Sequence, residues 1–276
     1  MRRTPFGPPS LIVSDVDGTL IDGSETVRPL TRRALRRAAE EGTAFVLATG
    51  RPPRWIAPIA EQLDHVTYAV CANGAIVYDV TADVVLQSAT LSPEVLAEIA
   101  EIARREIPGC GLAAERVGES AHDSATAPFV AAAGYVHAWL NPDHVEVGDD
   151  DIVSAPAVKM LIRKPGASSD AMAAAMTAAV GDRAAVTFST DNGLIELAVP
   201  GVDKSTGLRR LAEIASLPVD AVIAFGDMPN DVEMLRWAAR GVAMANAHPA
   251  ARAAADEITT SNDNEGVGRV LHRWFT

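Results

Sequence analysis

Leu11-Ile12-Val13-Ser14-Asp15-Val16-Asp17-Gly18-Thr19-Leu20 decides the fold, because a short apolar run stops abruptly at a polar, acid-rich cluster. The same event recurs at Ala44–Ala48 before Thr49 and at residues 221–225 before Gly226 and Asp227. Unbroken apolar runs of this length mark parallel strands buried on both faces. Between the first two, residues 29–41 set Leu30, Ala34, Leu35, Ala38 and Ala39 on one helical face and stop near Gly42. Strand, helix and strand make a βαβ unit. Residues 204–214 and 231–239 read as helices before and after the third run, so both ends of the chain share one style. The expected fold is α/β, a doubly wound, mainly parallel sheet whose polar clusters all lie at strand C-termini.

The middle of the chain has another character. Residues 158–163, 184–189 and 194–199 read as strands, and Asp191-Asn192-Gly193 reads as a hairpin turn joining the last two. Helices are expected over residues 92–105, with Ser92 as cap and Pro93 in the first turn, and over 170–180. An inserted α+β domain over residues 89–199 follows, dividing the core into residues 1–88 and 200–276.

Composition removes several functions. A net charge of -12 over 276 residues argues against neutralising nucleic acid phosphates or anionic lipid. The only cysteines, Cys71 and Cys110, lack disulfide or zinc spacing. The apolar run at residues 11–13 meets Asp15 too soon for an export signal, and the alanine-rich stretch 171–180 is far short of the roughly 20 residues that span a bilayer. A cytoplasmic protein is expected, with no nucleic acid or membrane partner. No heptad seam marks an oligomer.

The clusters at the strand ends carry the chemistry. In an extended chain Asp15 and Asp17 fall on the same side, roughly 6 to 7 Å apart. Two such carboxylates repel unless a cation lies between them, and Mg²⁺ favours one or two carboxylates with water and substrate phosphate. One carboxylate, Asp15, can then attack phosphorus while the other, Asp17, acts as acid and base. Gly226-Asp227-Met228-Pro229-Asn230-Asp231 brings more acids to the same sheet edge, where α/β proteins bind ligands. Asp227 is the next metal ligand. Asp231 can bind the metal, orient its water, or favour the following helix from its N-terminal end. At the second strand end, Thr49 and the N–H groups around Gly50 can hold phosphate oxygens, and Arg51 can contact phosphate or form a structural ion pair. Lys204, opening a helix, offers positive charge for the transferring phosphoryl group.

These four clusters together resemble the haloacid dehalogenase superfamily, specifically its Cof-like phosphatases with a type IIB cap. The resemblance implies that Asp15 is nucleophile, Asp17 acid/base, Thr49 a phosphate ligand and Lys204 the stabiliser of a phosphoaspartate. It implies a magnesium site of the Asp15 side chain, the Asp17 backbone carbonyl and Asp227, with Asp231 completing it and Asn230 contacting phosphate or water. It also makes the insertion a cap and the substrate a small phosphorylated metabolite, such as a sugar phosphate. Asn73-Gly74-Ala75 and residues 261–267 are also similar to this group, although either run can be a plain turn or loop. One departure is that Lys204 precedes Ser205 and Thr206 where a glycine is expected.

Two other functions fit the same residues: a phosphomutase on this scaffold, and a non-catalytic module that binds phosphate through an acidic magnesium site. Asp17 argues against a long-lived switch, since it supplies hydrolysis machinery. His122, His137 and His144 fall in the insertion and read as surface or structural groups, and Trp55, Trp139, Trp237 and Trp274 read as packing residues.

Overall fold

The computed structural model describes residues 7–63, 65–123, 127–138 and 143–276, so Trp139 lies outside the described residues. The chain forms two compact units, one from the residues up to Val84 together with Asp203–Thr276, the other from Val85–Val202. In chain order the strands are β1 (Leu11–Ser14), β2 (Ala44–Ala48), β3 (Tyr68–Cys71), β4 (Ile76–Asp79) and β5 (Val84–Ser88), the last leading out of the first unit. The inserted unit holds β6 (Gly111–Glu115), β7 (Phe129–Ala132), β8 (Val145–Val147), β9 (Lys159–Arg163), β10 (Ala185–Thr187) and β11 (Leu194–Ala198). The chain then returns with β12 (Val222–Gly226), β13 (Arg240–Ala243) and β14 (Glu257–Ile258).

The first unit's sheet runs β14-β13-β12-β1-β2-β3-β4, and β5 continues it where the chain leaves. Its pairs are parallel from β14 through β3, and β4 returns antiparallel to β3. Every residue of β1 and β12 is buried, as an unbroken apolar run requires of central strands. The first helix, α1 (Pro29–Glu40), buries Thr31, Ala34, Leu35 and Ala38, a single stripe. The chain moves outward in one direction from β1 to β2 and in the other from β12 to β13. The crevice at the C-terminal ends of β1 and β12 is therefore the topological switch point, where such sheets take their ligands.

One helical turn after Lys204 the chain places Gly207. The helix that Lys204 opens, Lys204–Ala215, is capped by Asp203, whose carboxylate accepts from Thr206 N at 2.9 Å while Asp203 N donates to Thr206 Oγ1 at 2.9 Å. Gly207 then faces the β3–β4 turn so closely that a Cβ would overlap Val70 and Gly74. Gly74, at φ +101°, abuts the Asp203 carbonyl in the same way. Asn73-Gly74 is thus a turn on which the lysine-bearing helix rests. Gly74→Ala is expected to cost about 3 kcal/mol through overlap and the left-handed backbone, read as a lower urea midpoint.

The inserted unit is a six-stranded sheet in the order β10-β11-β9-β6-β7-β8, antiparallel except for the β7–β8 pair. Its helices Pro93–Glu106 and Ser169–Val180 start at Ser92 and Ser168, whose hydroxyls accept N–H bonds of the first turn. Leu194 begins β11 only after residues 188–193, so β10 and β11 pair antiparallel across a longer loop than a tight Asp191-Asn192-Gly193 turn. A buried ion pair, Lys159 to Glu196 at 2.8 Å, crosses this sheet. His122 is exposed, whereas His137 Nε2 lies 2.5 Å from His144 Nδ1, with the His137 ring against Phe129 and Tyr135. In the first unit, Trp55 and Trp237 lie under the guanidinium groups of Arg54 and Arg209. Both cysteines are free, and no helix among the described residues is long and apolar enough to cross a membrane.

Candidate active site

β1 ends at Ser14, and the Asp15 amide donates to the Phe225 carbonyl of β12 at 3.0 Å. Beyond that bond the chain turns through Gly18 at φ +74° instead of continuing as a strand. Asp15 and Asp17 thus lie beyond the strand rather than on it: Asp15 is buried, while the Asp17 side chain is 48% exposed and pairs with Arg51, its charge still bearing on Asp15. Gly18 serves a second purpose, since a Cβ there would collide with Asp227 Oδ2.

At the end of β1 two carboxylates share one ammonium, with a third, Asp227, close by. Lys204 Nζ, fully buried, donates to Asp15 Oδ1 at 2.5 Å and to Asp231 Oδ1 at 2.6 Å. Asp231 Oδ2 accepts from Asp227 N at 2.8 Å and Met228 N at 2.9 Å, closing the loop after β12. Asp227 Oδ1 accepts from Thr19 Oγ1 at 2.9 Å, and Asp227 Oδ2 accepts from Asn246 Nδ2 at 3.4 Å. Asn246 Nδ2 also donates to the Gly18 carbonyl at 2.8 Å. One side chain thus joins the loop after β1 to the loop after β13.

Thr49, buried at the end of β2, accepts the Arg51 amide on Oγ1 at 3.1 Å. Gly50 lies between them. Arg51 grips Asp17 by two parallel bonds, Nε to Oδ2 at 2.9 Å and Nη2 to Oδ1 at 2.7 Å. Of the two readings of Arg51, the ion pair is the one this geometry displays. Asn230 Nδ2 donates to Asn73 Oδ1 at 2.9 Å, while its own Oδ1 is buried without a partner among the described residues.

The donor set fits a divalent cation. Carboxylate oxygens of Asp15, Asp227 and Asp231 lie within 4.8 Å of one another, all are hard ligands, and one ammonium does not balance three buried negative charges. Asp17 does not join this group through its carboxylate. Burial lifts Asp15 well above the usual carboxylate range, opposed by Lys204 and reinforced by Asp231 and Asp227. Burial followed by the Asp231 charge pushes Asp227 up to about 7, opposed by the Thr19 hydrogen bond. Burial works against the Lys204 charge, but Asp15 and Asp231 outweigh it and hold the ammonium on. A group raised in this way binds its proton more tightly when folded, so stability without a cation falls as pH rises from about 4 to 7. The chelated protein is accordingly expected to melt lower at about pH 8 than at about pH 5, and Mg²⁺ to raise the melting temperature more at the higher pH.

Sequence reading did not single out Thr19 or Asn246 individually. Thr19 sits inside the first motif. Asn246 lies in a loop with no signal of its own. Residues 261–267 prove to brace the loop after β1, with Asp263 accepting Gly23 N at 3.1 Å, Glu265 accepting Leu30 N at 2.7 Å and Asn262 Nδ2 donating to Ile21 O at 2.9 Å.

Comparison with known proteins agrees with this arrangement. The family profile of haloacid dehalogenase-like hydrolases matches residues 12–271. A 5-amino-6-(5-phospho-D-ribitylamino)uracil phosphatase of Bacillus subtilis is 28% identical, over 97% of this chain and 98% of that protein. A phosphatase of the same description from Escherichia coli is 29% identical, over 95% of each. Among solved structures, a haloacid dehalogenase-like hydrolase from Bacteroides thetaiotaomicron superimposes with a TM-score of 0.70 at 26% identity, covering 95% of this chain and 98% of that one. With its acids gathered at the switch point of a doubly wound sheet and the profile spanning nearly its whole length, the chain belongs to the haloacid dehalogenase-like hydrolases and is a Cof-like phosphatase.

Proposed function

We propose that the protein hydrolyses a small phosphomonoester in two steps through a phosphoaspartate on Asp15, with Mg²⁺ as its cation. The observation that carries this is the buried Lys204 ammonium bonded to both Asp15 and Asp231. It fixes Asp15 Oδ1 and leaves Oδ2 as the attacking oxygen. That oxygen forms a bond to phosphorus as the bond from phosphorus to the leaving oxygen breaks, and Asp17 gives its proton to the departing alkoxide. Asp17 then takes a proton from water as water attacks the acyl phosphate, releasing phosphate and restoring Asp15. The half-exposed Asp17 carboxylate suits a group that must meet a leaving group arriving from solvent.

Thr49 with the amide at Gly50 holds phosphate oxygens, and Lys204 stabilises the charge that spreads over them. When bound, Mg²⁺ neutralises phosphate and carboxylate charge; Asp15 and Asp227 would hold it through side chains and Asp17 through its carbonyl. Asp231, with bonds already made on both oxygens, positions Lys204 and the loop of Asp227. Asn230, whose free atom is an acceptor, contacts a water. The Val85–Val202 unit is the type IIB cap.

For substrate we propose a sugar or sugar-alcohol phosphate, and the phosphorylated ribityl compound in the names of the two relatives is the first to try. The test is phosphate release from a panel of sugar, polyol, nucleotide and carboxylic acid phosphates, with Mg²⁺ and with chelator. Magnesium-dependent release that is fastest on a polyol ester supports the reading. Release that is indifferent to chelator, or confined to phosphorylated acids, contradicts it.

A further inference from the structure

Beside the Arg51–Asp17 pair stands a second carboxylate with no part in the chemistry above. Glu25 Oε1 accepts from Arg51 Nη2 at 3.3 Å, the same nitrogen that donates to Asp17 Oδ1 at 2.7 Å. The Glu25 side chain is 75% exposed and that of Arg51 only 12%, so Glu25 reaches the guanidinium from the solvent side.

The loop that presents Glu25 is held at several points. Asp22 Oδ1 accepts from Ser24 N at 2.9 Å, Ser24 Oγ at 2.7 Å and Thr26 N at 3.1 Å, and Asp22 Oδ2 accepts from Arg28 Nε at 2.8 Å. Glu25 itself is left-handed, φ +58°, a conformation that disfavours any residue with a Cβ. Gln62 clamps it from both sides, its Nε2 donating to Glu25 O at 3.0 Å and its Oε1 accepting from Val27 N at 2.8 Å. A non-glycine residue kept in this region by its surroundings is a pointer to function.

We propose that Glu25 is a positioning residue for Asp17, acting through Arg51. Two parallel bonds fix Arg51 and Asp17 to each other but not to the fold, since both side chains can swing together on their stems. A third contact, from a loop whose backbone Gln62 anchors, ties the pair to the frame that holds Asp15. This rests on the proposal that Asp17 carries the proton.

The test separates esters that need a proton from those that do not. An alkoxide leaves poorly without an acid, whereas nitrophenolate leaves unaided. Glu25→Ala is expected to slow single-turnover release of the alcohol from an alkyl phosphate about tenfold and single-turnover release of nitrophenolate from p-nitrophenyl phosphate by less than about twofold, since the later hydrolysis of the phosphoaspartate, with Asp17 as base, is common to both esters. Added to Asp17→Asn it should cause no further loss. Equal losses in the single-turnover transfer step on both esters, or an additive loss in the double variant, would overturn the proposal. Loss of both activities in Asp15→Asn would leave the phosphatase mechanism standing even then. A readout free of turnover is hydrogen exchange at Arg51 Nε–H, expected to accelerate about tenfold or more in Glu25→Ala as the pair loses its anchor. Unchanged protection there would equally overturn the assignment.

Discussion

Asp15→Asn is expected to abolish phosphate release, by roughly a thousandfold or more, without unfolding the protein. An amide has the volume of the carboxylate but no anionic oxygen with which to attack phosphorus. Its structural effect runs the other way from its catalytic one. Asp15 stands among Asp227 and Asp231 with one ammonium between them, and burial already holds its carboxyl far above the usual range. Removing one negative charge relieves that imbalance, and Lys204 keeps Asp231 as its partner. The metal-free variant should therefore melt at or above the temperature of the wild type, most visibly at about pH 8, where the other acids are ionised. A variant both inactive and strongly destabilised would mean that the Asp15–Lys204 bond, not the nucleophile, is what the site depends on.

Lys204→Met is expected to do both kinds of damage. It removes the only ammonium bonded to Asp15 and Asp231 among the described residues and leaves two buried carboxylates facing each other. Breaking a buried pair from one side costs about 3 to 5 kcal/mol. Protonation of Asp15, which burial already favours, would relieve that cost, so the loss should be greatest at about pH 8 and smaller at about pH 5. Activity should fall with it, and excess Mg²⁺ should restore stability more than turnover, because a cation can balance charge without holding Asp15 Oδ1. Urea denaturation at the two pH values, beside turnover, reads the two effects separately.

Much of this site can be read from the order of residues. β1, β2 and β12 are legible because each apolar run ends at its own functional cluster, so finding the strand also finds the acid, threonine or glycine at its tip. Lys204 is legible from its place in the motif set. What escaped was fixed by approach between distant segments. Nothing near Asn246 says that its amide will reach Gly18 and Asp227. Nor does the run Lys204-Ser205-Thr206 say that Gly207 and Gly74 will meet one turn away. β1 ends at Ser14, where its apolar run stops; the D-x-D pattern does not by itself say how the chain continues beyond it, and Gly18, placed against Asp227, decides for a turn. Glu25 is invisible for the same reason. Its role depends on a clamp from Gln62, and no local periodicity encodes that contact.

The central claim is a covalent bond between Asp15 and phosphorus, and the most direct measurement is to trap it. Enzyme turning over substrate is quenched in acid, treated with borohydride to reduce any acyl phosphate to an alcohol, and mapped by mass spectrometry. Homoserine at position 15, dependent on substrate and Mg²⁺, is the predicted result. Full turnover with position 15 unmodified, or modification at another aspartate, would contradict the mechanism.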